Sequence, residues 1–588
     1  MGCGSSSSAR VDDSAAPPAT TTAPAADEEA AAAAAAATAT AAVASEGKAE
    51  AEKSASPAAA SASSPLLLYG DLMSAPVRTV VQIARLAGVP HEVREVDLMK
   101  GEQRGAEFTA KFPAQRLPAL EHDGVFSGES HAILRYMAST FPAKFATLFP
   151  SAASEPELNA KVNQLLDWHQ ERLRMDLDYV TNYGVFYPML KFPVPDYGLE
   201  MQDTRTDRDL AHLEGMLQNS GGAFLTGDKA TVADVSIAHQ VHQLSLARYV
   251  LAHRPAVVAW MAAVKKLGHW DDVAVKIDGF AATLPKEPVL PVRKEPVPAP
   301  KISAVPAAVV KDRSKPVKLY VDLVSAPCRQ VVQKAIEVGV PHEIVPVDLT
   351  KKEHYAPDFL KLNPLAAVPV LTTEEGFVLT ESHAIIRYFD DQYGAAQGGA
   401  VRTTFLANSK DQSRRVREAL PDDSDDSDEE QLSPAKALVV DFWLEWNQGN
   451  LRASADFLMV ARVFAPLMGW PMPPTYHVDL EAKLHDSLAF MNAHLADRKW
   501  LAGRHRSNAD LVLFHQLRPT EISGVDMSKY PHILRWSKRF ADASRAIDEE
   551  MFSKSVCGKF DGFKAYMESQ KAAGDAKGKD SDKGKGKA

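Results

Sequence analysis

The sequence predicts a chain that folds twice into the same pair of parts, a small α/β part followed by an all-helical part. The stretch from Leu68 to Arg78 recurs from Leu319 to Arg329, and Ser325 lies 251 positions after Ser74. Each stretch combines an apolar strand, a serine turn and a helix opened by proline, and each is followed later by residues with the 3.6-residue spacing of amphipathic helices. These observations indicate a tandem duplication.

The composition excludes several classes of protein. At 588 residues, 45% of them hydrophobic, the chain is long enough for more than one buried core. A formal net charge of -10 without a concentrated basic patch argues against a nucleic-acid protein. The three cysteines, Cys3, Cys328 and Cys557, leave no room for a disulfide framework, and no Cys/His cluster suggests a metal, so we expect an intracellular, metal-free protein.

Residues 1–65 are expected to be a disordered spacer that carries a membrane anchor. The first residues fit the Met-Gly-x-x-x-Ser pattern, which predicts N-myristoylation of Gly2, and Cys3 is placed for S-palmitoylation. Two acyl chains anchor durably where one does not, so we expect a tether to the cytoplasmic face of a membrane. A chance match in a Ser/Gly-rich start is the alternative. The remainder of the spacer is too poor in large apolar side chains to form a core.

The elements of the first α/β part, residues 66–145, follow from local signals. A strand begins at Leu66 and a helix at Pro76, since proline suits the first helical turn. Further strands are expected near His91–Asp97 and at Leu117–Leu120, and Asp123-Gly124 indicates a hairpin into a fourth strand. Ser130 is then predicted to be the N-cap of a helix that runs to about Ser139. Residues 155–285 are expected to be helical.

The remaining segments follow the same order. A proline-rich linker occupies residues 286–316, and the second copy comprises an α/β part, 317–396, and a helical part, 435–566. Ser382 follows Ser130 by 252 positions, whereas Trp446 follows Trp168 by 278, so the second copy contains an insertion. Its composition identifies it as the acidic segment 408–434, and residues 567–588 form a Lys/Gly-rich tail. We expect both of these segments to be disordered.

Ser74 and Ser325 are the candidate functional residues of the repeated turn. Each lies beside the unpaired backbone N–H groups of a helix that begins with proline, which is a place to hold an anion. No Asp and His are spaced to activate either serine as a nucleophile. The hydroxyl is better suited to donating a hydrogen bond to a bound anion.

The order of motifs resembles the theta class of the glutathione S-transferases. In the first copy the resemblance rests on the Ser-x-Pro turn, the segment Val96–Gly101, Leu117-Pro118 before a strand, and Gly128-Glu129-Ser130 at a helix start. The second copy repeats these motifs, with Val347–Lys351, Val368-Pro369 and Thr380-Glu381-Ser382. In the helical parts, Trp168–Arg174 and Trp446–Arg452 look like the Trp…Leu-Arg helix of the family. The resemblance covers residues 66–285 and 317–566 and implies a thioredoxin-like domain followed by a helical domain in each copy.

The resemblance implies a role for each candidate residue. Ser74 and Ser325 would stabilise the thiolate of glutathione, which is a co-substrate and not a resident cofactor. Lowering a thiol pKa from about 8.5 to about 6.5 needs roughly 2.7 kcal/mol, which one charge-assisted hydrogen bond and a helix N-terminus supply together. The expected glutathione-binding residues are Gln103, Arg116, Leu117, Pro118, Glu129 and Ser130 in the first copy, and His354, Val368, Pro369, Glu381 and Ser382 in the second.

Further expectations concern structure. The Leu117-Pro118 and Val368-Pro369 peptide bonds are expected to be cis, as in the family. The pairs Thr231/Asp234 and Ser507/Asp510 are assigned to helix capping alone. Cys328 is expected to pack in the core. The two copies are expected to pair within the chain, or the chain to form a homodimer.

The two copies depart from the family pattern in opposite ways. Theta enzymes use a histidine after the Lys-Gly segment and a basic residue before Val-Pro to hold the glycyl end of the peptide; the first copy has Gln103 and Arg116 there, and the second has His354 and Ala367. The resemblance implies a glutathione S-transferase that acts on small electrophiles. Two alternatives stay open: a non-catalytic scaffold like the elongation factor 1B gamma subunit, and a transferase or peroxidase that uses another thiol such as trypanothione.

Overall fold

The computed structural model describes residues 64–192, 194, 198–290, 295–300, 302, 309–394, 433–468 and 476–551; within it, the side chains of 198–202, 467–468, 476–479 and 545–551 are not described. The expected acylation sites Gly2 and Cys3, residues 408–432 of the acidic insertion and the Lys/Gly-rich tail lie outside these ranges. No helix within them combines the length and apolarity needed to cross a bilayer.

The first α/β part is a four-stranded mixed sheet with helices. In chain order its elements are β1 (Leu66–Gly70), α1 (Ala75–Leu86), β2 (His91–Glu95), α2 (Ala106–Lys111), β3 (Ala119–His122), β4 (Val125–Gly128), α3 (Ser130–Thr140) and α4 (Pro142–Phe145). The strand order is β2-β1-β3-β4, with β1 parallel to β2 and the other pairs antiparallel. Alternate residues of β1, Leu66 and Leu68, are fully buried against α1 and α3.

The first helical part contains a long helix that changes its winding twice. It is built from α5 (Pro156–Trp168), a π-helical segment His169–Leu173, α6 (Arg174–Thr181), a second π-helical segment Asn182–Phe186, and α7 (Tyr187–Leu190). Then come α8 (Gly198–Gln218), α9 (Val232–Gln243), α10 (Pro255–Lys265) and α11 (Trp270–Thr283). Such π-helical segments are rare and occur often at functional sites.

The second copy repeats this architecture. Its α/β part has β5 (Val317–Val321), α12 (Ala326–Val338), β6 (His342–Pro346), α13 (Pro357–Leu362), β7 (Val370–Thr372), β8 (Val378–Thr380) and α14 (Ser382–Tyr393), with sheet order β6-β5-β7-β8. Its helical part has α15 (Pro434–Trp446), a π-helical segment Asn447–Arg452, α16 (Ala453–Met459), a π-helical segment Val460–Phe464, α17 (Ala465–Met468), α18 (Tyr476–His494), α19 (Asn508–Ile522) and α20 (Pro531–Met551).

One expectation about the helix starts is wrong. Ser130 and Ser382 are the first residues of α3 and α14, and the cap positions belong to Glu129 and Glu381. Neither glutamate side chain makes a capping hydrogen bond, and both residues have a positive φ, 63° and 67°. The Glu-Ser dipeptide therefore forms a tight turn, in which the serine already has helical geometry.

The two copies pack against each other within the chain. Helix α3 lies against α15 of the other copy, and α14 lies against α5 in the corresponding way. Residues 295–300 of the linker run along α8, where the backbone N–H of Val297 donates to Asp207 at 2.7 Å. Close packing extends to Gly215, because a Cβ there would lie 2.6 Å from the carbonyl oxygen of Pro300. The expected pairing within the chain is thus present, and part of the linker lies on the first copy.

Candidate functional site

Strand register brings the predicted site residues to one edge of each sheet. In the first copy Tyr69 pairs with Ala119, and Ala119 pairs with Gly128. The turn after β1, the proline before β3 and the glutamate after β4 therefore meet at the same edge. The second copy has the equivalent pairs, Tyr320 with Val370 and Val370 with Thr380.

A buried arginine and a buried aspartate fix the turn that carries Ser74. Arg78 Nη1 donates to the carbonyl oxygens of Leu72 and Met73, each at 2.8 Å. Asp71 Oδ1 accepts from the backbone N–H of Met73 at 2.9 Å, and Asp71 Oδ2 accepts from that of Leu98 at 3.2 Å. The Ser74 hydroxyl makes no capping bond to α1, so it is available to a ligand at the helix N-terminus.

The turn that carries Ser325 is built in the same way. Arg329 Nη1 donates to the carbonyl oxygens of Leu323 and Val324, each at 2.8 Å. Asp322 accepts from the backbone N–H groups of Val324 and Leu349, at 3.0 and 3.1 Å. In both copies the arginine has less than 1% of its surface exposed, so the turn has a rigid support.

Both prolines at the start of β3 and β7 follow cis peptide bonds, Leu117-Pro118 and Val368-Pro369. The positive φ of Glu129 and Glu381 is unfavourable for residues with side chains, and such strain is found at ligand sites.

The residues expected at the glycyl end of a peptide lie in different surroundings. Gln103 Oε1 and His354 Nδ1 occupy equivalent positions, and both atoms are buried without a hydrogen-bond partner in the described residues. Arg116 extends towards the second copy, where its Nη2 donates to Asn450 Oδ1 at 2.7 Å. Its guanidinium also interacts with Glu129. The structure thus places Arg116 at the boundary between the copies.

The aspartates assigned to capping are wholly buried and accept four hydrogen bonds each. Asp234 accepts from the backbone N–H and hydroxyl of Thr231, from the N–H of Leu225 and from Trp260 Nε1, at 2.8 to 3.0 Å. Asp510 has the same set, from Ser507, from Leu501 and from Trp536. Each pair forms a reciprocal capping box. These contacts support the fold and lie within the helical parts.

Cys328 is fully buried on α12, one turn beyond Ser325. Burial raises the pKa of Cys328 to about 12, although hydrogen bonding to Ser325 acts in the opposite direction. The thiol is therefore protonated at neutral pH and packs as a small apolar group. In the described part of the chain no group of three or more His, Cys, Asp or Glu side chains has an arrangement that could hold a metal.

A cluster of buried and half-buried charges joins the two copies. Arg135 of α3 donates to Glu445 at 2.5 Å and lies 3.3 Å from Asp167. Arg387 of α14 pairs with Asp441 at 2.9 Å and contacts Asp167 and Glu445, each at 3.4 Å. Burial alone would raise the pKa of Glu445. The guanidinium of Arg135 and other groups nearby outweigh burial and hold this pKa well below the ordinary range, so Glu445 stays ionised. We call these five residues the inter-copy charge cluster.

The helical walls of the two copies differ in aromatic content. In the first copy, Tyr179, Tyr183 and Tyr187 follow one face of the long helix, with ring centroids 5.3 and 5.2 Å apart. The equivalent positions of the second copy, counted from Trp446, are Phe457, Ala461 and Ala465.

The sequence reasoning missed the support of the serine turns and the inter-copy charge cluster. Arg78 and Arg329 belong to the repeated stretch, and Asp71 and Asp322 precede the serines by three residues in both copies. The recurrence of this arginine and this aspartate in both copies was the sequence signal that could have identified them as supports of the turn. The charge cluster has a weaker signal because its members differ between the copies, Asp167 corresponding to Glu445.

Comparison with family models finds the same unit twice. Residues 64–139 and 328–392 match models described as the glutathione S-transferase N-terminal domain. Residues 196–269 and 461–543 match models described as the glutathione S-transferase C-terminal domain. The matches alternate along the chain in the order in which the two α/β parts and the two helical parts follow each other.

Curated relatives belong to the theta class. The chain is 30% identical to human glutathione S-transferase theta-2B over 201 residues, 34% of this chain and 80% of that protein. It is 32% identical to mouse theta-3 over 203 residues, 34% of this chain and 82% of that protein. It is 30% identical to Arabidopsis thaliana glutathione S-transferase T1 over 218 residues, 35% of this chain and 86% of that protein.

Proposed function

Because this chain belongs to the glutathione S-transferase family, we propose that each copy binds glutathione, stabilises its thiolate and directs it to a small electrophile. The observation that carries the proposal is the shared sheet edge. Three features lie together at this edge in both copies: a serine hydroxyl at a helix N-terminus, a strand that starts after a cis-proline, and a Glu-Ser turn. This arrangement offers a donor for a thiolate, backbone groups for a peptide and a helix N-terminus for a carboxylate.

Ser74 and Ser325 would act as hydrogen-bond donors in this reaction. The thiolate receives the hydroxyl proton in a hydrogen bond and is not itself protonated, while the first N–H groups of α1 or α12 add partial positive charge. The supports of the turn, Arg78 and Arg329, keep the donor in place without touching the ligand. Leu117, Pro118, Val368 and Pro369 would hold the cysteinyl backbone, and Ser130 and Ser382 the glutamyl carboxylate.

The test uses single and double substitutions of the serines in the full chain. We expect Ser74→Ala and Ser325→Ala each to lower the rate at which the chain conjugates glutathione to a chromogenic aryl halide. The double variant should have a kcat/KM about 100-fold lower than that of the unchanged chain. In the double variant, the pKa of bound glutathione, measured from thiolate absorbance against pH, should rise by about one unit or more. Ser487→Ala, which removes a buried hydroxyl on α18, is the control and should retain activity.

An unaltered double variant would contradict the role of the serines. If the unchanged chain bound no glutathione, the scaffold function would replace the transferase function. Another thiol, such as trypanothione, would fit if it bound more tightly than glutathione, because Ala367 leaves the second copy without a basic side chain before Val368.

We further propose that the chain is attached to the cytoplasmic face of a membrane through acyl groups on Gly2 and Cys3. The support is the sequence pattern alone. Mass spectrometry of the mature N-terminus tests this directly: the added masses of a myristoyl and a palmitoyl chain are expected. A free or acetylated N-terminus would contradict the proposal.

A further inference from the structure

The second copy carries a group of basic side chains that the first copy lacks. Its members are Arg498 and Lys499, in the loop after α18, and Arg535, Lys538 and Arg539 on α20. The equivalent positions of the first copy lie 276 residues earlier, as Asp234 does relative to Asp510, and hold Gly222, Ala223, Ala259, Ala262 and Ala263. We call the five residues of the second copy the basic face.

Helix α20 brings the members of the basic face together. Its three cations are spaced three and four residues apart, so they lie on one side of the helix. Arg535 Nη2 donates to the carbonyl oxygen of Leu495 at 2.6 Å, and Arg539 Nη1 donates to that of Lys499 at 2.8 Å. These bonds hold α20 against the loop that carries the other two cations, so the basic face is continuous.

The basic face is exposed and outweighs the carboxylates that pair with it. Lys499 is exposed, and Lys538 has 78% of its side-chain surface exposed. Asp497 lies 3.0 Å from Arg498, and Asp542 lies 3.0 Å from Lys538. Five cations outnumber these two carboxylates, so the face is positive on a chain whose net charge is -10.

The fold does not require these charges. In the first copy neutral side chains close the end of α8, where Asn219 Nδ2 and Ser220 Oγ donate to carbonyl oxygens of the last turn at 2.8 and 3.1 Å. In the second copy arginines bind the corresponding carbonyl oxygens, among them Arg498, whose Nη1 donates to that of His494 at 3.0 Å. Because the neutral version of this turn folds in the same way, the positive charge has a use outside the turn.

We propose that the basic face is a docking surface for a membrane that contains anionic lipids. Clustered lysine and arginine side chains bind such a surface through charge alone, without a pocket of fixed shape. The proposal deepens the proposed attachment through Gly2 and Cys3, which favours lipid over an acidic protein as the source of the negative charge. The acyl groups would hold the chain at the bilayer, and the basic face would turn the second copy towards it. At up to about 3.3 Å per residue, the segment before residue 64 is long enough to permit this orientation.

The experiment measures vesicle binding by sedimentation. It uses the full chain with Gly2→Ala and Cys3→Ser, so that no acyl group contributes, and vesicles of phosphatidylcholine with or without about 30% phosphatidylserine. Binding is expected only with phosphatidylserine, and it should weaken at least about tenfold when salt is raised from about 50 to about 500 mM. Lys499→Gln combined with Lys538→Gln should lower the partition coefficient about 25-fold, which is about fivefold for each lysine.

The matched control is Lys265→Gln combined with Lys266→Gln. These two lysines are exposed at the end of α10, the equivalent helix of the first copy, and their replacement removes the same charge. The control should bind vesicles like the parent chain, and both double variants should keep their circular dichroism and their conjugation of glutathione.

The inference is overturned if both double variants weaken binding equally or neither does, or if vesicles without phosphatidylserine bind as well. It is also overturned if polyglutamate displaces the chain at a lower concentration of carboxylates than that of phosphatidylserine, because an acidic protein would then be the better partner. A free N-terminus in mass spectrometry would contradict the acylation and leave this test unaffected, so the two failures are distinguishable.

Discussion

Asp167 and Glu445 occupy equivalent positions in the two copies, yet their replacement should change stability in opposite directions. In the inter-copy charge cluster three carboxyl groups face two guanidiniums, so one carboxyl has no full counter-charge. Burial raises the pKa of Asp167 to about 7, against the attraction of Arg387 and Arg135. Asp167 therefore retains a proton over a pH range in which Glu445 is ionised.

The sign and size of the effect follow from linkage. The pKa of Asp167 is higher in the folded than in the unfolded chain, so between about pH 4 and pH 7 the folded state holds a proton that the unfolded state has lost. The free energy of unfolding should fall by about 1.4 kcal/mol per pH unit there, about 4 kcal/mol in all as an upper limit. Glu445 has the opposite shift, and its stabilisation is present above about pH 4.5 and is lost below it.

The assay is urea unfolding of the full chain between pH 4 and 9. Asp167→Asn, which mimics the protonated acid, should remove the decline in stability between pH 4 and 7 and be at least neutral at pH 8. Glu445→Gln should destabilise by about 3–5 kcal/mol at pH 7, since it leaves Arg135 without its closest partner. Similar losses from both variants at pH 8 would refute the reasoning.

Three further predictions concern single residues. In a chain with Cys3→Ser and Cys557→Ser, Cys328 should not react with a thiol reagent at pH 8 until urea unfolds the protein, and rapid labelling of the native chain would contradict its burial. Asp234→Ala should lower the free energy of unfolding by about 3–5 kcal/mol, because three buried N–H donors lose their acceptor, and a loss below 1 kcal/mol in urea unfolding would contradict this. In a Ser74→Ala chain, Arg329→Lys should raise the apparent pKa of bound glutathione in thiolate titrations while circular dichroism is unchanged; an unchanged thiol pKa would show that the turn does not need its support.

The sequence predicted those features whose signal is local or repeated. The strand, serine turn and proline-opened helix were readable twice, and the jump in spacing after Ser382 located the insertion. The Glu-Ser turn was misread, because Ser130 follows a glutamate with positive φ, a conformation that no local propensity indicates.

The contacts between copies were beyond the sequence for a different reason. Arg116 was predicted to hold the glycyl end of the peptide, and no sequence signal indicated its hydrogen bond to Asn450, which is 334 residues away in the chain. Likewise Arg452 and Glu171 form an ion pair across the boundary between the copies although they lie 281 residues apart in the chain. Periodicity reports which face of a helix is buried and does not report what covers it.

Covalent fusion changes what a pair of related subunits can contain. In a symmetric homodimer every substitution at the interface occurs twice, so a residue must tolerate its own image on the other side. In this chain a substitution at the interface affects one copy only, so equivalent positions can hold different residues: Asn163 corresponds to Asp441, and Glu171 to Gly449. Because the linker keeps the halves together at high effective concentration, an interface of this kind can hold unlike partners without depending on protein concentration or on recognition between separate chains. The two copies thus pack as two subunits of a dimer do, while their interface residues can differ as those of a heterodimer can.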